Sequence, residues 1–200
     1  MVDFYEYLKI LASKITDELV VSNMAGVSRE WCHANDRDGN LYQVYMAGPT
    51  PVALGIALAL PHRRVIALDS DGSMLMGLTV LPVVAEENPS NLIIIICDNE
   101  CYEAAGKLPT FTAGKTDLAK VALGAGIRNT KVVNDPSEFQ SSINEAFQES
   151  GSNLIVLKVK AGHRKVPYSI LRGPENKSRF IRYVEKTENI QIITPPAMKL

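Results

Sequence analysis

The segment "ALDSDGSML" (67–75) closes an apolar run with two carboxylates, a glycine and two serines. A second run, "NLIIIICD" (91–98), closes with an aspartate, and Asn99 follows it. Asp71 and Asn99 offer a carboxylate and an amide oxygen. Both are hard donors that suit Mg²⁺, which keeps phosphate or water oxygens in its remaining octahedral positions. Gly72 permits close backbone approach, and Ser73 offers a hydroxyl and an amide to a phosphate. A helix starting here would turn its positive N-terminus to the same spot. The set suits a metal–diphosphate better than a bare metal. Asp69, still inside the run, is expected to be structural. Asp-Gly-Ser alone is a common turn and helix cap. Specificity comes from pairing the two ends across one strand–helix–strand unit.

That pairing sets what the elements must do. "RVIALD" (64–69) and "NLIIIICD" are short β-branched runs, suited to central parallel strands covered on both faces. As neighbours they would lie about 4.8 Å apart, with both side chains at the carboxyl edge, where open α/β sheets bind ligands. "MLMGLTVLPVVAEEN" (74–88) has the length of a crossover helix, which Pro82 should kink. Helices are expected over 3–16, 26–34, 116–124 and 136–149, the last capped by "DPSE". Strands are expected at 18–23, 41–46, 130–133 and 153–160. "PVALGIALAL" (51–60) is apolar on all sides and reads as a buried helix with Pro51 near its first turn. Strands alternating with helices give an α/β fold with a mainly parallel sheet. Residues 1–165 form the expected domain, and 166–200, rich in charge and proline, an extension or interface arm.

Two hundred residues with a formal net charge of −1 give no argument for nucleic acid or a membrane surface as partner. Cys32, Cys97 and Cys101 lack zinc-ligand spacing and read as reduced thiols, Cys97 as core. With no leader-like start and no membrane-spanning run, a cytoplasmic protein is expected. His33, His62 and His163 read as structural or exposed, and "HRR" (62–64) and "HRK" (163–165) as solvated or interface clusters. Lys107, Thr110 and Thr112 form a loop that either touches substrate or orders on cofactor binding. No Gly-x-Gly-x-x-Gly opens a helix after a strand, which disfavours a dinucleotide-binding domain.

"SDGS…DNEC" resembles the thiamine diphosphate motif, usually Gly-Asp-Gly-Ser followed some two dozen residues later by Asn-Asn. The resemblance spans roughly 18–160 and implies the three-layer fold of the diphosphate-binding domain of thiamine diphosphate enzymes. By position, it implies that the side chains of Asp71 and Asn99 and the carbonyl of Cys101 hold Mg²⁺. It likewise implies that Gly72, Ser73 and Tyr102 contact the cofactor. "VYMAGPTPVALGIALA" (44–59) is similar to a family segment in which Met46 would wedge between the cofactor's rings. "VVSNMAGVSREW" (20–31) and "RGPENKSRFIR" (172–182) look like the β subunits of sulfopyruvate and related phosphonopyruvate decarboxylases. In that group Ser22 and Asn23 would lie near the diphosphate. Ser70, Asp98 and Glu103 depart from the usual motif.

The resemblance implies a heteromeric lyase that decarboxylates a small 2-oxo acid. The glutamate that activates the cofactor would come from a pyrimidine-binding-domain partner subunit, and no catalytic residue is identified in this chain. Alternatives are an acetolactate-synthase-like carboligase, a 2-oxoacid oxidoreductase β subunit, or a non-catalytic partner-binding subunit.

Overall fold

Both faces of the central sheet are covered, which is why its strands read as unbroken apolar runs. The structure, a computed structural model, describes residues 1–167 and 172–193. In chain order the elements are α1 (Phe4–Ala12), β1 (Leu19–Asn23), α2 (Gly26–Ala34), β2 (Asn40–Val44), α3 (Pro49–Ala59) and β3 (Val65–Ser70). There follow α4 (Asp71–Met76), α5 (Val80–Glu87), β4 (Leu92–Asp98), β5 (Cys101–Tyr102) and β6 (Leu108–Pro109). The chain continues with α6 (Leu118–Ala125), β7 (Asn129–Val133), α7 (Pro136–Ala146), β8 (Asn153–Lys158) and α8 (Gly173–Glu188). Six strands form one parallel sheet in the order β2-β1-β3-β4-β8-β7, while β5 and β6 make a small antiparallel hairpin. From β1 the chain first moves outward to β2 and then crosses back to β3, so the order reverses between β1 and β3. In such sheets that reversal leaves a crevice at the carboxyl ends.

Alternation along the strands divides the core in two. Val20, Ile66, Leu68, Ile93, Ile95 and Ile155 pack with α1, α2 and α7 around Phe4, Tyr7, Trp31 and Phe139. Val21, Val65, Ala67, Ile94, Ile96 and Val156 pack with α3, α5, α6 and α8. The result is a three-layer α/β sandwich. Each fully buried side chain of this size stabilises by about 1.5–3 kcal/mol. At the β2 edge, α8 buries Phe180 and Val184. Its Asn176 accepts the Tyr42 N–H at 2.8 Å and donates to the Asn40 carbonyl at 3.1 Å. One side-chain amide thus pairs with edge-strand backbone that would otherwise be open.

Four expectations need correction. The crossover is two helices rather than one kinked at Pro82: α4 ends at Gly77, whose N–H donates to Ser73 and Met74 carbonyls. Pro82 falls in the first turn of α5, where a missing N–H costs nothing. Helix α1 stops at Ala12, not at 16, with the Ser13 hydroxyl donating to the Ile10 carbonyl. Strand β2 ends at Val44, so Met46 sits in a loop; Gln43 at φ 59° breaks the ladder, and the β1–β2 register slips there. Finally, α3 buries Thr50, Ala53, Leu54 and Ala57 but exposes Val52 and Leu58. It is apolar all round yet covered on only one side.

Candidate functional site

The crevice at the strand reversal is a cleft of about 190 Å³ where β1, β3 and β4 end. Of the residues singled out from sequence, Asn23, Met46, Asp71, Gly72, Asn99, Cys101 and Tyr102 all line it. Ser73 does not: it is fully buried, and its hydroxyl accepts the Ala47 N–H at 2.9 Å, tying the Met46 loop to α4.

Local structure explains the placement. The β3–β4 register sets Ser70 opposite Cys97, so the residues that follow emerge side by side. Ser70 caps α4, its hydroxyl accepting the Ser73 N–H at 3.4 Å, and Asn23 donates to the same hydroxyl at 2.8 Å. The ends of β1 and β3 are thereby stitched together. Gly72 is needed because a Cβ there would overlap the Tyr102 ring. Ala25, Ala47 and Glu100, in the loops after β1, β2 and β4, have φ of 60°, 64° and 61°. Each such non-glycine residue costs on the order of 1–3 kcal/mol, and strain of this kind gathers at functional sites.

Asp69 and Asp71 have different partners. Asp69 accepts the Thr50 hydroxyl at 2.8 Å and the Ser70 N–H at 2.9 Å, fastening α3 to β3. Asp71, 1% exposed, accepts the Thr110 hydroxyl at 2.6 Å, and Thr112 Oγ1 lies 3.1 Å from the same oxygen. The Thr112 oxygen is also 2.8 Å from Asp98 Oδ1. A hydroxyl has one proton, so Thr112 serves Asp98 or Asp71 at any moment. Burial raises the Asp71 carboxyl above the usual aspartate range, the Thr110 hydroxyl opposes this, and the Asp98 charge adds to the rise. Asp98 has its own cation, Lys158, at 2.7 Å. Among the described residues no Lys, Arg or His ion pair reaches Asp71.

The donors around Asp71 fit a metal ion. A buried carboxylate without a protein cation is costly, and a divalent ion would supply the missing charge. Among the described residues no three His, Cys, Asp or Glu side chains cluster as a complete metal site. An ion here would depend on amide and carbonyl oxygens and on its ligand. Asn99 and Cys101 line the cleft beside Asp71, the Asn99 Oδ1 accepting the Cys101 N–H at 3.1 Å.

From sequence, Lys107, Thr110 and Thr112 are only a loop that touches substrate or orders on cofactor binding. Thr110 and Thr112 are buried against Asp71 rather than presented on a loop surface, while Lys107 is exposed. Their signal is spatial: the β5–β6 hairpin folds them back, and two-residue strands leave no pattern. His163 lines the cleft, although it reads as structural or exposed in sequence. His62 is exposed but pairs with Glu188 at 2.6 Å. None of the three cysteines is in a disulfide, and Cys97 is buried.

A parallel three-layer α/β sandwich with a buried carboxylate lining its switch-point crevice has the architecture of cofactor-binding α/β domains. Residues 39–157 match the family model described as thiamine pyrophosphate enzyme, C-terminal TPP binding domain, and the chain belongs to that family. It is 34% identical over 183 residues to "Sulfopyruvate decarboxylase subunit beta" of Methanococcus maripaludis, covering 91% of this chain and 97% of the relative. The protein of that name from Methanothermobacter thermautotrophicus is 33% identical, covering 92% and 96%. "Phosphonopyruvate decarboxylase" of Streptomyces viridochromogenes is 32% identical over 77% of this chain but only 38% of its own length. Among solved structures, the Rhodococcus jostii RHA1 thiamine diphosphate-dependent 4-hydroxybenzoylformate decarboxylase superposes with a TM-score of 0.70 at 23% identity. It covers 81% of this chain and 33% of that one, an agreement in fold. Among the described residues no helix is long and apolar enough to cross a membrane.

Proposed function

We propose that this chain is the cofactor-binding subunit of a thiamine diphosphate-dependent decarboxylase acting on a small 2-oxo acid of the sulfopyruvate or phosphonopyruvate kind. The observation that carries the reading is Asp71, a buried carboxylate with no cation paired to it among the described residues, in the switch-point cleft beside Gly72 and Asn99. In this reading Asp71, Asn99 and the Cys101 carbonyl hold Mg²⁺, and the metal holds the diphosphate. Asn23, Gly72, Ser73 and Tyr102 bind the cofactor, Ser73 through its backbone and its grip on the Met46 loop. Met46 supports the ring end. When bound, thiamine diphosphate supplies the nucleophilic carbon and the electron sink, and the protein supplies orientation and electrostatics.

The activating glutamate is assigned to a pyrimidine-binding-domain partner subunit, in a cytoplasmic hetero-oligomer. The "subunit beta" names of relatives matched almost end to end support a partner. The uncovered apolar side of α3 supports one independently, because an exposed Val52 and Leu58 on a helix without a polar face is what a subunit contact would bury.

Titration calorimetry with thiamine diphosphate and Mg²⁺ tests the reading. The chain should bind weakly and only with metal, and Asp71→Ala should abolish the metal dependence. Equal affinity in the variant removes Asp71 from the site. Carbon dioxide release from sulfopyruvate or phosphonopyruvate is expected only when the partner subunit is added.

A further inference from the structure

His163 closes one wall of the cleft, and the structure gives it a setting beyond packing. Its Nδ1 lies 3.3 Å from Oε1 of Glu30, a carboxylate on α2 that is 1% exposed. The Arg164 N–H donates to the same oxygen, while among the described residues neither Glu30 Oε2 nor His163 Nδ1 has a hydrogen-bond partner. The other edge of the ring, Cδ2 and Nε2, rests on Gly26, where a Cβ would overlap it. Asn23, Met24, Ala25 and Gly26 line the cleft beside it.

A buried carboxylate with an unpartnered oxygen is expensive unless a cation faces it. The His163 imidazole is the group at ion-pair distance. Nδ1 faces that carboxylate at ion-pair distance, which leaves Nε2 as the ring edge turned to Gly26 and available to a ligand. That atom rests on Gly26 at the first turn of α2, which has no side-chain cap and so has free N–H groups of its own. A neutral ring ligand would leave this donor edge unused, whereas an anion would engage it.

We propose that His163, as an imidazolium between Glu30 and the ligand, donates its Nε2–H to the phosphate end of bound thiamine diphosphate, so that His163 touches the ligand and Glu30 positions it. This rests on the cofactor reading above. The test is titration calorimetry of the full chain with thiamine diphosphate and Mg²⁺, alongside thermal melts. His163→Phe keeps a ring on Gly26 without a donor and should weaken binding roughly tenfold to a hundredfold. His163→Gln, whose amide can replace the donor, should recover much of that loss, and Glu30→Gln should cost several-fold. Phosphorus NMR of the cofactor bound to His163→Gln should show a displaced phosphate resonance, a readout available even if the phenylalanine variant fails to fold.

Wild-type affinity in His163→Phe overturns the proposal, because packing alone would then explain the ring. Equal losses in the Phe and Gln variants with an unmoved phosphorus resonance overturn it too. A wild-type chain that binds no cofactor removes the site reading and this proposal with it. Binding lost in Asp71→Ala but intact in His163→Phe removes only this proposal.

Discussion

The α8–β2 edge and the switch-point cleft both bury polar groups, and they treat them in opposite ways. Under α8, Asn176 pairs with the backbone of β2, and Arg179 meets Asp36 at 2.7 Å. Glu188, its side chain 6% exposed, lies against Arg63 and His62. Burial pushes its carboxyl up, but the His62, Thr187 and Arg63 contacts outweigh that and hold it below the usual glutamate range. At the cleft the balance reverses. Burial holds Asp71 above the usual range, and its hydroxyl partners only partly offset this. In the first region the charges are paired within the chain. In the other, no cation among the described residues meets Asp71.

The sharpest way to break that contrast is at Asp71. Asp71→Asn removes a buried charge, so the melting temperature of the unloaded chain should rise by about 2–4 °C, the change that about 1 kcal/mol makes in a domain of this size. Mg²⁺-dependent cofactor affinity should meanwhile fall by more than about a hundredfold. A lower melting temperature in the variant would make Asp71 an anchor like Asp69 and dissolve the distinction. Asn176→Ala should do the reverse. Freeing the Tyr42 N–H and the Asn40 carbonyl should cost about 2–3 kcal/mol in urea unfolding and leave cofactor affinity unchanged.

Gly72→Ala sharpens the comparison from the cleft side. Its Cβ must displace the Tyr102 ring, with an expected loss of about 1–3 kcal/mol in stability and weaker cofactor binding. Adding Tyr102→Ala should restore the stability, as a double-mutant cycle would show, but not the binding. If stability stays low, the clash lies elsewhere.

The strands were legible because burial on both faces leaves nothing but apolar residues, as in Leu92–Cys97. Asp71, Gly72 and Asn99 were legible because strand ends in one βαβ unit share an edge. Strand order was not, since nothing local tells β1 to neighbour both β2 and β3. The break at Gly77 was hidden because the apolar pattern runs on through it. Helix α8 was hidden for a different reason: its charges face outward and Pro174, in its first turn, reads as a breaker out of context. Thr110, Thr112 and His163 acquire meaning only from contacts distant in the chain, with Asp71 and with Gly26 and Glu30.

The smallest expected effect is at Glu188, and its sign separates charge from burial. Its folded-state pKa is depressed, so its contribution is present above the unfolded glutamate value and lost as pH falls through the folded one. Glu188→Gln should therefore cost about 1 kcal/mol or less in urea unfolding near pH 7. The gap between wild type and variant should close as the pH is lowered to about 3, below the ordinary glutamate range. Arg63 remains paired with the Asp17 carbonyl in either protein, which keeps the loop before β3 in place while the charge is varied. A gap that persists unchanged into acid would show that Glu188 acts through packing, and the two regions would then differ in how deeply they bury charge rather than in whether they neutralise it.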